Sequence, residues 1–296
     1  MDVHGRRRVI CCHRATLSGR FPPNSLAAIE ECVEARVPRL EIDVRFLSDD
    51  AMLIFHDDLL DRETTGSGPV GALDRATAAR LRYREDETHG LCFLAEVADA
   101  MKAGETLLQV DLKLMRPLSK QRLDLLAAAL EPIRDRCLIG SQAHWNLRPL
   151  AGRGFRVALD PTLQWHYLPG RDPSLTPSLL GVHGLWDDAP LAHIRHASAL
   201  DYLEARLDAL AGLPPRATEW MVDVRTIDHL ATLGLPLGEA LLARGVELAA
   251  WTLRDYGAVE TPPVLERLFQ LGTTTVIADD APAIARYAAA LSAQRL

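Results

Sequence analysis

Along most of this chain, short β-branched or apolar runs alternate with longer amphipathic runs. "RRVICCH" (7–13) precedes "NSLAAIEECVEA" (24–35), where Leu26, Ile29 and Val33 have helical spacing and Asn24 or Ser25 can cap the helix. Two extended runs follow, "RLEIDVR" (39–45) and "AMLIFHD" (51–57), with too few residues between them for a helix. "TLLQVDLKL" (106–114) precedes a helix over 118–130, "RCLIGSQ" (136–142) precedes a short helix near 146–152, and "GFRVALD" (154–160) comes next. A further strand is expected near "TEWMVDV" (218–224). Towards the end, "GVELAAWTL" (245–253) precedes "PVLERLFQLG" (263–272), and "TTTVIADD" (273–280) precedes "APAIARYAAALSA". Gly272 reads as a helix stop and Asp280 as an N-cap.

This alternation implies a mainly parallel sheet covered on both faces. The fold class is α/β, and the strand count fits a TIM-type (β/α)8 barrel, with a doubly wound open sheet as the alternative. One domain is expected over residues 1–296, with a polar, turn-rich insertion at 58–100 after the third strand. Residues 161–220, with many Pro, Gly, Trp and His, give no assignable pattern apart from the strand near 218.

Two strands carry charge where their apolar content would suit a core. In "LEIDV", period two puts Leu40, Ile42 and Val44 on one face and Glu41 and Asp43 on the other. If the apolar face meets the helices, both acids enter the barrel mouth, where they repel each other unless a cation lies between them. Oxygen-only ligands suit Mg²⁺ or Ca²⁺ better than zinc. An edge strand with its acids in water explains this stretch equally well. In "QVDLKL", Asp111 and Lys113 share a face in the same manner, a third ligand and a phosphate partner or else a plain strand ion pair. His13-Arg14 and His56-Asp57 end two further strands. Two imidazoles near arginine and three acids suit proton transfer at a phosphate.

Composition narrows the classes. The net charge is −7, which gives no support for a nucleic-acid or anionic-membrane partner. The N-terminal stretch lacks an apolar core of signal length and no run reaches membrane-spanning length, so a cytoplasmic protein without stable membrane insertion is expected. The five cysteines are scattered without C-x-x-C spacing and read as reduced core residues; Cys11 and Cys12 would point to opposite faces of a strand. His193 and His196 have helical spacing without a convincing third ligand. Trp145, Trp165, Trp186 and Trp220 read first as packing residues, and "TTGSGP" as a turn.

Taken in order, "HRATLSGRFPPNSLAAI", "LEIDVRFLSDDAMLIFHDDLLDRETTGSGPV" and "QVDLK" resemble the glycerophosphodiester phosphodiesterase family, and "AAWTL" and "TTVIADDAP" look like its last two strands. The match is dense over 8–70, supported at 107–113 and 247–282, and thin between 143 and 240. The resemblance implies a TIM-type barrel and one divalent cation, Mg²⁺ or Ca²⁺, held by Glu41, Asp43 and Asp111. It implies catalytic His13 and His56, phosphate contacts from Arg14 and Lys113, and a substrate-lining Trp251. The implied reaction is metal-dependent hydrolysis of a small-molecule glycerophosphodiester to sn-glycerol 3-phosphate and an alcohol. Three positions depart from the family pattern: Ala15 stands for glycine, Pro23 for glutamate, and Asp111 for the more frequent glutamate. Aspartate there also resembles spider-venom-type phospholipase D. The alternatives are therefore a lysophospholipase-D-like enzyme forming a cyclic phosphate, or a catalytically silent barrel that binds without turnover.

Overall fold

The structure is a computed structural model that describes residues 2–3, 5–161, 198–213 and 216–293. Eight parallel strands form a closed ring: β1 (Val9–Cys12), β2 (Arg39–Phe46), β3 (Leu107–Leu112), β4 (Cys137–Ser141), β5 (Arg156–Leu159), β6 (Glu219–Asp223), β7 (Glu247–Leu253) and β8 (Thr275–Ala278). β8 pairs with β1 from Thr275↔Val9 to Ala278↔Cys12, and β1 pairs with β2, which closes the barrel. The open doubly wound sheet is thereby excluded. Helices alternate with the strands, among them Leu26–Glu34 after β1 and Lys120–Leu130 after β3. Ser25, not Asn24, caps the first of these helices by accepting the Ala28 N–H.

The third extended run of the chain is not a barrel stave. Met52–Ile54 pairs antiparallel with the end of β2, from Val44↔Ile54 to Phe46↔Met52. Residues 47–51 are too few for the crossover that a parallel neighbour needs, so the chain turns back on itself as a hairpin. The barrel neighbour of β2 is instead β3, in register from Arg39↔Leu107 to Val44↔Leu112. The hairpin and the residues after it gather a small core of their own around Leu47, Leu53, Phe55, Leu60, Val70, Tyr83 and Phe93. From Leu94 the chain rejoins the main core: Leu94, Val97, Ala98 and Met101 of the next helix pack into the layer outside the barrel.

Period two divides the barrel strands as their sequence demands. Leu40, Ile42, Val44, Val110 and Leu112 join the core beneath the helices. Cys11, Leu138, Ala158, Met221, Ala249 and Ile277 fill the barrel interior. Cys12, on the opposite face from Cys11, lies in the outer core, and all five cysteines are free, buried thiols. Towards the N-terminal end of the strands a buried ion pair forms the floor. Arg39 (5% exposed) donates to both carboxylate oxygens of Glu219 (2% exposed) at 2.6 and 2.8 Å, and its Nε donates to Gln109 Oε1 at 2.9 Å. The polar residues of the interior therefore sit in two separate tiers, this floor and the mouth at the other end.

Candidate active site

The mouth is formed by the last inward-facing residues of the strands and the loops that leave them. A cavity of about 670 Å³ opens there, and its lining includes His13, His56, Glu41, Asp111, Lys113 and Trp251. All eight site residues expected from the sequence stand at this one end. A larger hollow of about 1000 Å³ opens at the opposite end of the barrel, lined by Arg7, Arg36 and Arg156 among others. It contains neither imidazole and none of the three carboxylates, so size alone does not make it the site.

Glu41 and Asp43 are 3% and 0% exposed on β2, and Asp43 lies in register with Asp111 on β3. Oxygen atoms of Glu41, Asp43 and Asp111 all fall within 4.8 Å of one another. Burial, followed by the charge of Asp43, pushes the Glu41 carboxyl above the usual range. Burial would raise Asp43 as well, but the charges of Lys113, His56 and Arg14 hold it below the usual range. Asp43 is the hub. Its Oδ2 accepts from Asn24 Nδ2 at 2.8 Å and lies 3.4 Å from Arg14 Nε; its Oδ1 lies 2.9 Å from Lys113 Nζ. Lys113 also donates to Asp111 at 2.5 Å. Arg14 and Lys113 thus enter the mouth already engaged by acids.

His13 and Arg14 occupy a single turn after β1. Arg14 and Ala15 have left-handed backbones (φ 49° and 56°), and the Arg14 N–H donates to Glu41 Oε2 at 2.8 Å. A glycine would adopt that conformation at no steric cost; here a fully buried alanine does, with its carbonyl accepting from the Cys32 thiol at 3.2 Å. Pro23 lines the mouth cavity without offering it a charge. His13 Nδ1 meets Asp279 Oδ1 at 2.6 Å, and its Nε2 lies 4.0 Å from Glu41. Burial alone would lower the His13 pKa, but the Asp279 hydrogen bond and the Glu41 charge outweigh it and raise the value. His56 follows the hairpin strand, and Arg45 holds its carbonyl through a 2.8 Å bond from Nε. His56 Nδ1 meets Asp57 Oδ1 at 2.8 Å. Its pKa is lowered, chiefly by burial, with Lys113 and Arg14 adding to the effect against the pull of Asp43.

Trp251, at the inward-facing end of β7, lines the cavity, and its Nε1 is buried with no hydrogen-bond partner among the described residues. Trp220 is buried in the outer core, as expected of a packing residue. Trp145 is partly exposed instead, with its indole N–H donating to the Met115 carbonyl at 3.0 Å. The "TTGSGP" stretch is a turn, with Leu60 N–H donating to Gly68 O at 3.0 Å. Trp165, Trp186, His193 and His196 lie outside the described residues.

Sequence reasoning missed three residues that hold the site. Asn24, read as a helix cap, clamps Asp43 from both sides: it donates to the carboxylate and its Oδ1 accepts the Asp43 N–H at 3.2 Å. Asp57 and Asp279 hold the two imidazoles. Carrying period two through β8, from Thr275 to Ile277 to Asp279, would have placed Asp279 at the mouth.

The fold and this mouth define a (β/α)8 barrel with a cluster of acids, two imidazoles and two cations at the C-terminal end of its strands, the end where barrels of this type carry their chemistry. A model of the glycerophosphoryl diester phosphodiesterase family matches residues 13–282, and the chain belongs to that family. A local match to the probable glycerophosphodiester phosphodiesterase 1 of Mycobacterium tuberculosis is 32% identical over 88 residues, 27% of this chain and 32% of that one. The curated relatives are matched over a quarter to a third of their own length. Among solved structures, an Oleispira antarctica phosphodiesterase in complex with the product sn-glycerol-3-phosphate is similar with a TM-score of 0.62 and 17% identity, covering 95% of this chain and 96% of that one. A glycerophosphodiester phosphodiesterase from Thermotoga maritima is similar with a TM-score of 0.61 and 15% identity, covering 96% and 99%. At such identities these likenesses speak for the fold alone.

Proposed function

We propose that this chain is a metal-dependent phosphodiesterase that cleaves small glycerophosphodiesters to sn-glycerol 3-phosphate and an alcohol. The observation that carries the reading is the convergence of His13, His56, Glu41, Asp43 and Asp111 on one mouth. Family membership and the product held by the Oleispira relative support it.

The donor set fits a divalent cation. Three carboxylates converge, two of them buried. Asp43 Oδ1 is buried without a hydrogen-bond partner among the described residues and is met only by the Lys113 charge. Such an all-oxygen set suits Mg²⁺ or Ca²⁺. When bound, the ion would offset the repulsion of the acids and polarise a phosphoryl oxygen. The remaining work falls to side chains. Arg14 and Lys113 stand where phosphate oxygens gain charge. His56, whose pKa is lowered chiefly by burial, accepts the proton of the substrate's attacking glycerol hydroxyl. His13, its pKa raised against burial by the Asp279 hydrogen bond and the Glu41 charge, delivers a proton to the departing alkoxide, and the cyclic phosphate so formed is opened by water to glycerol 3-phosphate. Trp251 lines the mouth as a wall for the substrate.

No helix among the described residues is long and apolar enough to cross a membrane, and all five cysteines are free thiols. We therefore propose a cytoplasmic setting. The test of function is release of glycerol 3-phosphate from a diester panel with Mg²⁺ or Ca²⁺. The His13→Ala and His56→Ala variants should each lose at least about 10²-fold in kcat. Wild-type turnover in either variant, or metal binding without turnover of any diester, would overturn the reading. Accumulation of a cyclic product in phosphorus NMR spectra would replace hydrolysis with the phospholipase-D-like reaction.

A further inference from the structure

The chain leaves β3 as irregular backbone, from Lys113 to Ser119, directly after the strand that carries Asp111. Lys113 begins this segment, and both Lys113 and Met115 line the mouth. Irregular backbone has no ladder to satisfy its carbonyls, which turn instead to side chains or water. The turn after β4 supplies the side chains. Ser141 Oγ donates to the Leu112 carbonyl at 3.0 Å, and Trp145 Nε1 donates to the Met115 carbonyl at 3.0 Å. Asn146, 1% exposed, does the most: its Nδ2 donates to the Leu114 and Arg116 carbonyls at 2.9 and 3.0 Å, and its Oδ1 accepts the Leu118 N–H at 2.8 Å. We infer that Asn146 is a positioning residue, which with Trp145 splints the exit of β3 and thereby sets Asp111, Lys113 and Met115 in the mouth. The catalytic consequence rests on the phosphodiesterase reading; the geometry does not.

Asn146 is the third residue of the helix His144–Ala151. Away from a cap, asparagine is a poor helix former, because its amide competes for backbone groups. Here the amide turns away from its own helix and spends both hydrogens and its oxygen on the neighbouring loop. A buried amide satisfied at both ends holds that loop in one arrangement. The third carboxylate depends on it most. Glu41 and Asp43 are buried, whereas the Asp111 side chain is 24% exposed. Its partner on β4 is Gly140, which has no side chain for it to lean on. An aspartate also has less reach than a glutamate and fewer torsions, so a backbone error passes straight to its oxygens. Lys113 lies past the strand and is tied by its N–H to the Val44 carbonyl at 3.1 Å. Beyond that bond the splint takes over.

The experiment uses the full chain as wild type, Asn146→Ala and Asn146→Asp. The alanine variant keeps a good helix former and removes the bonds to the loop. The aspartate variant keeps the shape and the acceptor, but sets an oxygen where the two donors were, against two carbonyls. Deuterium exchange of the Leu118 amide, followed by NMR, should quicken at least about tenfold in Asn146→Ala. Titration calorimetry should show Mg²⁺ or Ca²⁺ bound about 10–100-fold more weakly by both variants. On diester at saturating metal, kcat should stay about tenfold or more below wild type, because filling the metal site does not return a displaced Lys113. A side chain that served packing alone would lower the melting temperature and leave the metal affinity in place, and Asn146→Asp would then match wild type. Metal affinity within about threefold of wild type in either variant would overturn the inference, as would an unchanged Leu118 exchange rate in Asn146→Ala. If the alanine variant does not fold, the aspartate variant decides. Calorimetry and exchange need no substrate. A wild-type protein that binds the ion but turns over no diester would remove the proposed function and leave the splint standing; one that binds neither ion would overturn both.

Discussion

The floor of the barrel offers the most direct test of how this chain tolerates charge inside a core. Arg39 and Glu219 are almost fully buried and joined through two hydrogen bonds, with Gln109 bonding the Arg39 Nε. Burial alone would lower the Arg39 pKa, but the Glu219 charge overrides it and keeps the guanidinium charged. Replacing Arg39 by methionine keeps most of the volume and strands a buried carboxylate. Breaking a buried pair from one side costs about 3–5 kcal/mol, because the remaining charge has lost its partner but not its desolvation penalty. For a chain of 296 residues the unfolding entropy near the midpoint is roughly 0.6 kcal/mol per degree, so the midpoint should fall by about 5–8 °C. Glu219→Leu should cost a similar amount for the mirror-image reason. The double variant should recover most of the loss, since two apolar side chains leave no charge behind. Differential scanning calorimetry at neutral pH reads all four proteins. Single variants within about 1 kcal/mol of wild type would refute the reasoning, as would a double variant whose loss equals the sum of the singles.

Two further outcomes follow from the mouth. Asn24→Gly keeps a left-handed backbone at the position (φ 64°) and removes both bonds to Asp43, so Mg²⁺ or Ca²⁺ affinity should drop about 10–100-fold by titration calorimetry; unchanged affinity would show that Asp43 does not depend on Asn24 for its orientation. The profile of kcat/KM against pH should be bell-shaped, because His56 acts neutral and His13 acts protonated. The His56 pKa is lowered, so the acid limb should lie below the ordinary histidine range; the His13 pKa is raised, so the alkaline limb should lie above it. An alkaline limb below the ordinary range would overturn the expectation that Asp279 and Glu41 raise the His13 pKa.

The barrel was legible in the sequence because each stave carries its own period, and the acids stood out because they broke an apolar run. Alternation put Glu41 with Asp43, and Asp111 with Lys113, on common faces but left a water-facing edge strand equally open; the family resemblance chose the mouth for them and for the two strand-end histidines. The hairpin was harder. Residues 51–57 have the composition of a buried stave, and only the short link from β2 says that the run must return antiparallel. Asn24 was offered only as an alternative to Ser25 for the helix cap, so its partner on β2, Asp43, went unseen. Asp279 was passed over because the cap expected at Asp280, which does accept the Ala283 N–H, offered an explanation for the acids before that helix. Period two tells which of the two adjacent acids faces the mouth, but not which histidine, encoded at the far end of the chain, it meets there.

The hairpin also divides the labour of the mouth. His13 and the three carboxylates are rooted in barrel strands that share one core, whereas His56 is delivered by an arm with a side in each of two cores: Ile54 packs into the core of the barrel strands, and Leu53 and Phe55 pack with Leu60 and Tyr83 into the small one. The base therefore stands on one foundation more than the acid. Loosening the small core would leave the arm tied to β2 through Ile54 and its strand pairing, so His56 would lose its aim while the barrel kept its shape. What lies beyond that tie is the replaceable half of the machine, a clasp whose shape can drift as long as it still hands one imidazole to the rim.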